Sequence, residues 1–181
     1  MLDALCNDHS NASKSMKKVI LGIGNRLRGD DGIGIHTIET LNRYLEEFVR
    51  GSKQAKFVRV RSELIGVDCG TTPESYTSVI REHNPDRLIL VDAVDMGLSP
   101  GSYRIIPPEK IGVMCISTHN MPLSLFVSYV RESCRDVVLI GIQPERMDLG
   151  TTLSSAVRSG GEDVANIIIE ERLNEIEVLK T

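Results

Sequence analysis

Tryptophan is absent from the 181 residues, and aromatic side chains make up only 4% of them. A core built from this chain is therefore aliphatic. No apolar run approaches the roughly 20 residues that a membrane-spanning helix needs, and the N-terminus lacks the basic, apolar and small-residue segments of a secretion signal. These absences predict a cytoplasmic protein with no membrane partner. Nor is there an excess of positive charge. The 21 Lys and Arg stand against 25 Asp and Glu, a net charge of −4, which creates no field to attract nucleic acid or an anionic bilayer. The four cysteines, Cys6, Cys69, Cys115 and Cys134, include no CxxC pair. That argues against a zinc ribbon and, in a reducing compartment, for free thiols. Also missing are the HExxH helix of a zincin, a GxSxG elbow and a GxxxxGK phosphate loop.

What is present is a series of short apolar runs, each followed by a turn and a helical pattern. Residues 1–16, rich in Asn, Ser and Asp and without periodicity, are expected to be a mobile extension, and 17–181 a single domain. Val19 to Ile23, Leu64 to Asp68, Arg87 to Ala93 and Val137 to Ile142 read as strands buried on both faces of a parallel sheet. Gly101 to Ile106, ended by Pro107 and Pro108, reads as an antiparallel edge strand. The segment FVRV before Glu63 is a further candidate for strand.

Between the strands, Ile38, Leu41, Leu45 and Phe48 form one stripe of a helix over about 32–49. Its opposite face carries Glu39, Arg43 and Glu47 at ion-pair spacing, and His36 is expected at its surface. Thr71, Pro73 and Glu74 resemble a capped helix start, and His83-Asn84-Pro85 a helix stop. Asn120 is a candidate cap for a helix bearing Leu123, Phe126, Val127 and Val130. From about Leu153 to Leu179 the pattern is helical, with Gly160-Gly161 as a break. The fold class is thus α/β, a three-layer sandwich whose twisted, mostly parallel sheet of about five strands, with one antiparallel edge strand, lies between helices.

Ligands of such sheets bind beyond the carboxyl ends of the strands, where the strand order reverses. The carboxylates fall there: Asp30 and Asp31 after the first strand, Asp68 after the second, Asp92 at the end of the third. One aspartate suffices to cap a helix, which leaves the other for chemistry. In a 2-1-3 strand order, Asp31 and Asp92 face one crevice. With His119 from a later loop they make a mixed oxygen and nitrogen set suited to a borderline transition metal. Each also has a structural reading; Asp68, for instance, is placed to hold the Cys69-Gly70 turn through an Asx bond. A nucleotide site is disfavoured, because paired carboxylates repel a pyrophosphate.

Five stretches, LGIGNRLRGDDGIG, VDCGTTPE, LILVDAVDMGLSPG, STHNMPL and LIGIQPE, in this order and at these separations, resemble the hydrogenase maturation endopeptidases, nearest the branch that serves formate-hydrogenlyase-type hydrogenases. The resemblance spans about residues 18–169. It implies a peptidase of aspartyl type that removes the C-terminal extension of a nickel-iron hydrogenase large-subunit precursor once nickel is in place. It also implies that Asp31, Asp92 and His119 contact that substrate-borne nickel, with no tightly bound metal in the isolated monomer. Asp68 and Asp31 are the expected catalytic residues, Asp30 an alternative base to Asp68, and Gly70, Thr71 and Asn120 the expected substrate-binding positions. The metal either recognises the substrate only or also polarises the scissile carbonyl. The family's DGG motif reads Asp68-Cys69-Gly70 here, with its middle glycine replaced. The alternative function is a chaperone that senses nickel loading without cutting.

Overall fold

The computed structural model describes residues 16–51, 64–114 and 121–180. The expected N-terminal extension, the FVRV segment, His119 and Asn120 lie outside the described residues. Five strands, β1 (Lys18–Ile23), β2 (Leu64–Gly70), β3 (Arg87–Ala93), β4 (Tyr103–Ile106) and β5 (Val137–Ile142), form one sheet in the order β2-β1-β3-β5-β4. The first three and β5 run parallel; β4 is antiparallel to β5. The 2-1-3 order on which the shared crevice depended is present, as is the expected antiparallel edge strand. The strand order reverses between β1 and β3, because β2 lies on one side of β1 and every later strand on the other.

All six residues of β1 are buried, since helices cover both faces of the sheet. Ile20, Ile89, Val91 and Ile140 point to one face. There they meet Ile38, Leu41 and Leu45 of α1 (Ile33–Gly51) and Val157, Val164 and Ile168 of α5 (Ser155–Ile169). Val19, Leu21, Leu88 and Leu90 point the other way. Their partners are Leu123, Phe126, Val127 and Val130 of α4 (Leu123–Val130) and Ile80 of α2 (Thr77–His83). A short α3 (Ile111–Met114) precedes α4. Each buried apolar side chain among these contributes up to about 1.5–3 kcal/mol, which is how a chain without tryptophan holds two core layers.

Several local expectations are corrected. The segment from Leu153 to Leu179 is not one helix split at its glycine pair. Instead α5 runs unbroken through Gly160 and Gly161 and ends at Ile169. A Cβ at Gly160 would lie 2.2 Å from the Gly101 carbonyl oxygen, and one at Gly161 2.6 Å from Ile33 Cδ1. The pair is there for close approach. Beyond α5 the chain turns back to β4, where Ile105 donates to the Glu177 carbonyl at 3.0 Å and accepts from Leu179 at 2.9 Å. This covers the sheet's outer edge.

The capping box at Thr71 does not form. Thr72 takes the N-cap position of a 3-10 turn over Pro73–Tyr76 without a side-chain cap bond, and Pro122 takes that position ahead of α4. Glu39 pairs with Arg26 at 2.6 Å rather than along its own helix. His36 is largely buried, its side chain 16% exposed with Nε2 3.8 Å from Glu162. Burial and then Arg158 push its pKa down, against the pull of Glu162 and Glu39. The helix stop at Asn84 is as expected: its backbone is left-handed at φ 41° and its N–H donates to Ile80.

Candidate active site

The path from β1 to α1 is a 3-10 segment, Arg26–Gly32, kinked at Arg28 and Gly29. Asn25 caps it by accepting from the Leu27 N–H at 2.9 Å. At its far end α1 starts hard against the sheet, because a Cβ at Gly34 would lie 2.3 Å from both the Ile23 and the Val91 carbonyl oxygens. A residue lacking Cβ is needed for this approach. It sets Asp30 and Asp31 over the carboxyl ends of β1 and β3, the crevice where the strand order reverses.

The two aspartates have different tasks. Asp30 is fully buried. Its Oδ2 accepts from the N–H groups of Glu145 (2.9 Å) and Arg146 (3.0 Å) and from Ser154 Oγ (2.8 Å), while Oδ1 accepts from the Ser154 N–H at 2.6 Å. Burial alone would raise its pKa, but the bonds from Ser154, Arg146 and Glu145 outweigh it and hold the carboxyl below its ordinary value. A carboxylate that is fully buried, bonded four times and of depressed basicity does not cap α1 and is out of reach of water as a general base, so the expectation of Asp30 as an alternative base is withdrawn. It staples the β5–α5 loop to the β1–α1 loop.

Asp31, next in the chain, is 4% exposed, and Asp92, at the end of β3, is 3% exposed. Asp92 Oδ1 accepts from the Ala93 N–H at 2.8 Å. Asp92 thus lies buried at the end of β3, and Asp31 lies buried in the segment just beyond β1, its carbonyl accepting from the Asn25 N–H at 3.2 Å. Among the described residues no three His, Cys, Asp or Glu side chains form a metal-holding group; the third expected ligand, His119, lies outside them.

On the other side of β1 an open cleft of about 340 Å³ is lined by Gly24, Asn25, Arg26, Ile35, Asp68, Gly70 and Thr71. Three of the predicted site residues, Asp68, Gly70 and Thr71, come together here. Asp68 Oδ1 accepts from the Gly70 N–H at 3.0 Å, the Asx bond expected from the sequence, and Oδ2 accepts from Arg26 Nη2 at 2.8 Å. The Asp68 side chain is 42% exposed, so water reaches it.

Arg26 was not singled out in the sequence, since its partners Glu39 and Asp68 are distant in the chain. Cys69 faces the opposite way, into the core at 2% exposure. Burial first, then the charges of Asp68 and Glu74, push its thiol up to about 12. A thiol held protonated is no nucleophile, and the family's middle glycine is here replaced by a residue that packs.

The family profile described as hydrogenase maturation protease matches residues 35–171. The chain belongs to the hydrogenase maturation protease family. The hydrogenase 3 maturation protease of Escherichia coli K12 is 35% identical over 150 residues, 82% of this chain and 86% of its own. The solution structure of the endopeptidase HycI from Escherichia coli is similar at a TM-score of 0.73 and 31% identity, over 91% of this chain and 97% of that one. The NiFe hydrogenase maturation protease HycI from Thermococcus kodakarensis KOD1 gives 0.68 at 33% identity, over 87% and 93%. The crevice and cleft are therefore to be read as parts of a maturation protease, an enzyme that hydrolyses an amide.

One further residue of this protease escaped the sequence reading. Gln143, 7% exposed, accepts at Oε1 from the Met96 (2.6 Å) and Leu98 (3.2 Å) N–H groups and donates from Nε2 to Asp95 Oδ1 (3.1 Å). It ties the loop that follows Asp92 to β5. The cue was the polar residue closing the otherwise apolar run LIGIQ.

Proposed function

We propose that this protease removes the C-terminal extension of a nickel-iron hydrogenase large-subunit precursor after nickel insertion, and that it reads the substrate's nickel through Asp31, Asp92 and His119. The observation that carries this reading is the pair of buried carboxylates, Asp31 on the segment that follows β1 and Asp92 at the end of neighbouring β3, where the strand order reverses. Two carboxylate oxygens and an imidazole make an incomplete, mostly hard donor set. It suits a borderline divalent ion that softer thiolates already hold from the substrate side.

In this scheme the metal belongs to the substrate and signals readiness for cutting. Hydrolysis then falls to Asp68. Each of its oxygens keeps a lone pair beyond its bonds to Gly70 and Arg26, and the carboxylate stands in a solvated cleft. A water proton passes to Asp68 as the oxygen adds to the scissile carbonyl, and the proton leaves with the amine as the amide C–N bond breaks. Arg26, bonded to Oδ2 at 2.8 Å, fixes the carboxylate in direction. Gly70 and Thr71, which line the cleft, flank the substrate chain, and Asn120 is assigned to substrate binding with them.

The enzyme acts as a cytoplasmic monomer. No helix among the described residues is long and apolar enough to cross a membrane, and the buried Cys69 and Cys134 are free thiols, which accords with a reducing compartment.

The test is mass spectrometry of the precursor, nickel-loaded and nickel-free, after incubation with metal-stripped protease. Only the loaded form is expected to lose its C-terminal extension, and His119→Ala is expected to weaken docking as well as turnover. Equal trimming of both forms refutes nickel recognition; trimming of neither refutes the substrate.

A further inference from the structure

Two leucines stand out of the surface beside this site. Leu27 is 68% exposed and Leu149 is 78% exposed, the two most exposed large apolar side chains among the described residues. A single exposed leucine needs no explanation. These two, however, belong to loops bonded directly to one another: the Gly150 N–H donates to the Leu27 carbonyl at 2.8 Å, Arg28 Nε to the Met147 carbonyl at 3.3 Å, and the Asp30 N–H to the Arg146 carbonyl at 3.0 Å. The Asp30 carboxylate adds four more bonds to the same loop pair. With both backbones held, the chain cannot tuck these side chains away, and each keeps its apolar surface in water at a standing cost. Exposed Arg28, Arg146, Glu145 and Asp148 lie around them in the chain. An apolar centre within a polar rim is the anatomy of a protein docking patch.

Position says what docks. Leu27 directly follows Arg26, which lines the Asp68 cleft, and lies on the same 3-10 segment as Asp31. The patch therefore borders both the cleft and the segment that carries Asp31, within reach of a protein that places its scissile segment in the one or its metal at the other. We infer that Leu27 and Leu149 form an apolar anchor for the folded body of the hydrogenase precursor, which covers them with an apolar surface of its own as its C-terminal segment enters the cleft. The inference rests on the precursor being the substrate. It adds a specificity element outside the chemistry: the leucines set how tightly the substrate docks, not how fast it is cut.

The experiment compares the full-length wild type with the Leu27→Ser/Leu149→Ser double variant on nickel-loaded precursor. Truncating two leucines that become buried only in the complex is expected to raise KM by roughly tenfold or more, with kcat within twofold. The Leu27→Met/Leu149→Met pair is expected to restore KM. Val178→Ser, beyond the far edge of the sheet, is expected to change nothing. In parallel, a photocrosslinking residue at position 149 of the otherwise native chain is expected to capture the precursor whatever the serine variant's stability. An unchanged KM, a fall in kcat alone, or no crosslink while wild type still cleaves overturns the anchor and leaves the substrate assignment standing. If wild type leaves loaded precursor uncut, the assignment fails and the anchor falls with it.

Discussion

Asp30→Asn separates a helix cap from a buried staple. At an N-cap, Asn and Asp are near equivalents, so a capping role predicts a loss of well under about 1 kcal/mol. At the site observed, Oδ2 receives two backbone N–H groups and a hydroxyl. An amide nitrogen there turns donor against donor. Each buried polar group left unsatisfied costs about 1–3 kcal/mol; relaxation of the β5–α5 loop recovers part of it. A net loss of about 3–5 kcal/mol is expected, as for breaking a buried charged pair, against a total stability of about 5–15 kcal/mol.

With a urea slope of about 2 kcal/mol/M, the midpoint should fall by roughly 1.5–2.5 M. The dependence on pH follows from the depressed pKa of Asp30. The unfolded chain binds the proton more readily than the native one, so this contribution is complete above the ordinary carboxyl value of about 4. It is lost as pH falls through the folded value. Wild type should therefore shed this stability in acid, and Asp30→Asn should show a shallower acid limb. A urea midpoint within about 0.5 M of wild type, or an unchanged acid limb, refutes the staple.

Three further outcomes are expected. Gly160→Ala puts a Cβ 2.2 Å from the Gly101 carbonyl oxygen and should cost about 1–3 kcal/mol, read as a lower thermal midpoint; an unchanged midpoint would show that the α5 approach is slack. Arg26→Gln removes two ion pairs, to Glu39 and to Asp68, whose side chains are all exposed (51% for Arg26, 52% and 42% for its partners), so stability should barely move, within about 1 kcal/mol, while kcat drops as Asp68 loses its fixed direction; full kcat would remove Asp68 from the proposed base role or Arg26 from its support. Cys69→Ala should leave cleavage at the wild-type rate, because the thiol is buried and protonated with its pKa near 12; lost turnover in a variant that still folds would reinstate a thiol role.

How much was legible in the sequence depended on the range of the physics involved. Val19 to Ile23 and Arg87 to Ala93 announced buried parallel strands because a run apolar on both faces has one stable setting, and the prolines after Ile106 marked the edge strand. The aspartates at the strand ends drew attention for the same local reason. The tasks of adjacent residues were another matter. Asp30 and Asp31 look alike in the chain, yet Asp30 is consumed by donors more than 110 positions away, while Asp31 lies buried at the crevice with Asp92 from another strand. The glycine pair of α5 read as a break because propensity is a local quantity; packing against Gly101 and Ile33 decided otherwise. Arg26, Gln143 and the Leu27–Leu149 patch were invisible for the same reason, their partners being brought in only by the sheet order and the loop staple. The sequence by itself determined the layers, the strand directions and which carboxylates reach the mouth of the sheet, since these follow from periodicity and turn chemistry. Only the tertiary structure decided which carboxylate holds the loops and which stand at the crevice and cleft, because that depends on which backbone N–H groups the completed fold turns toward each one.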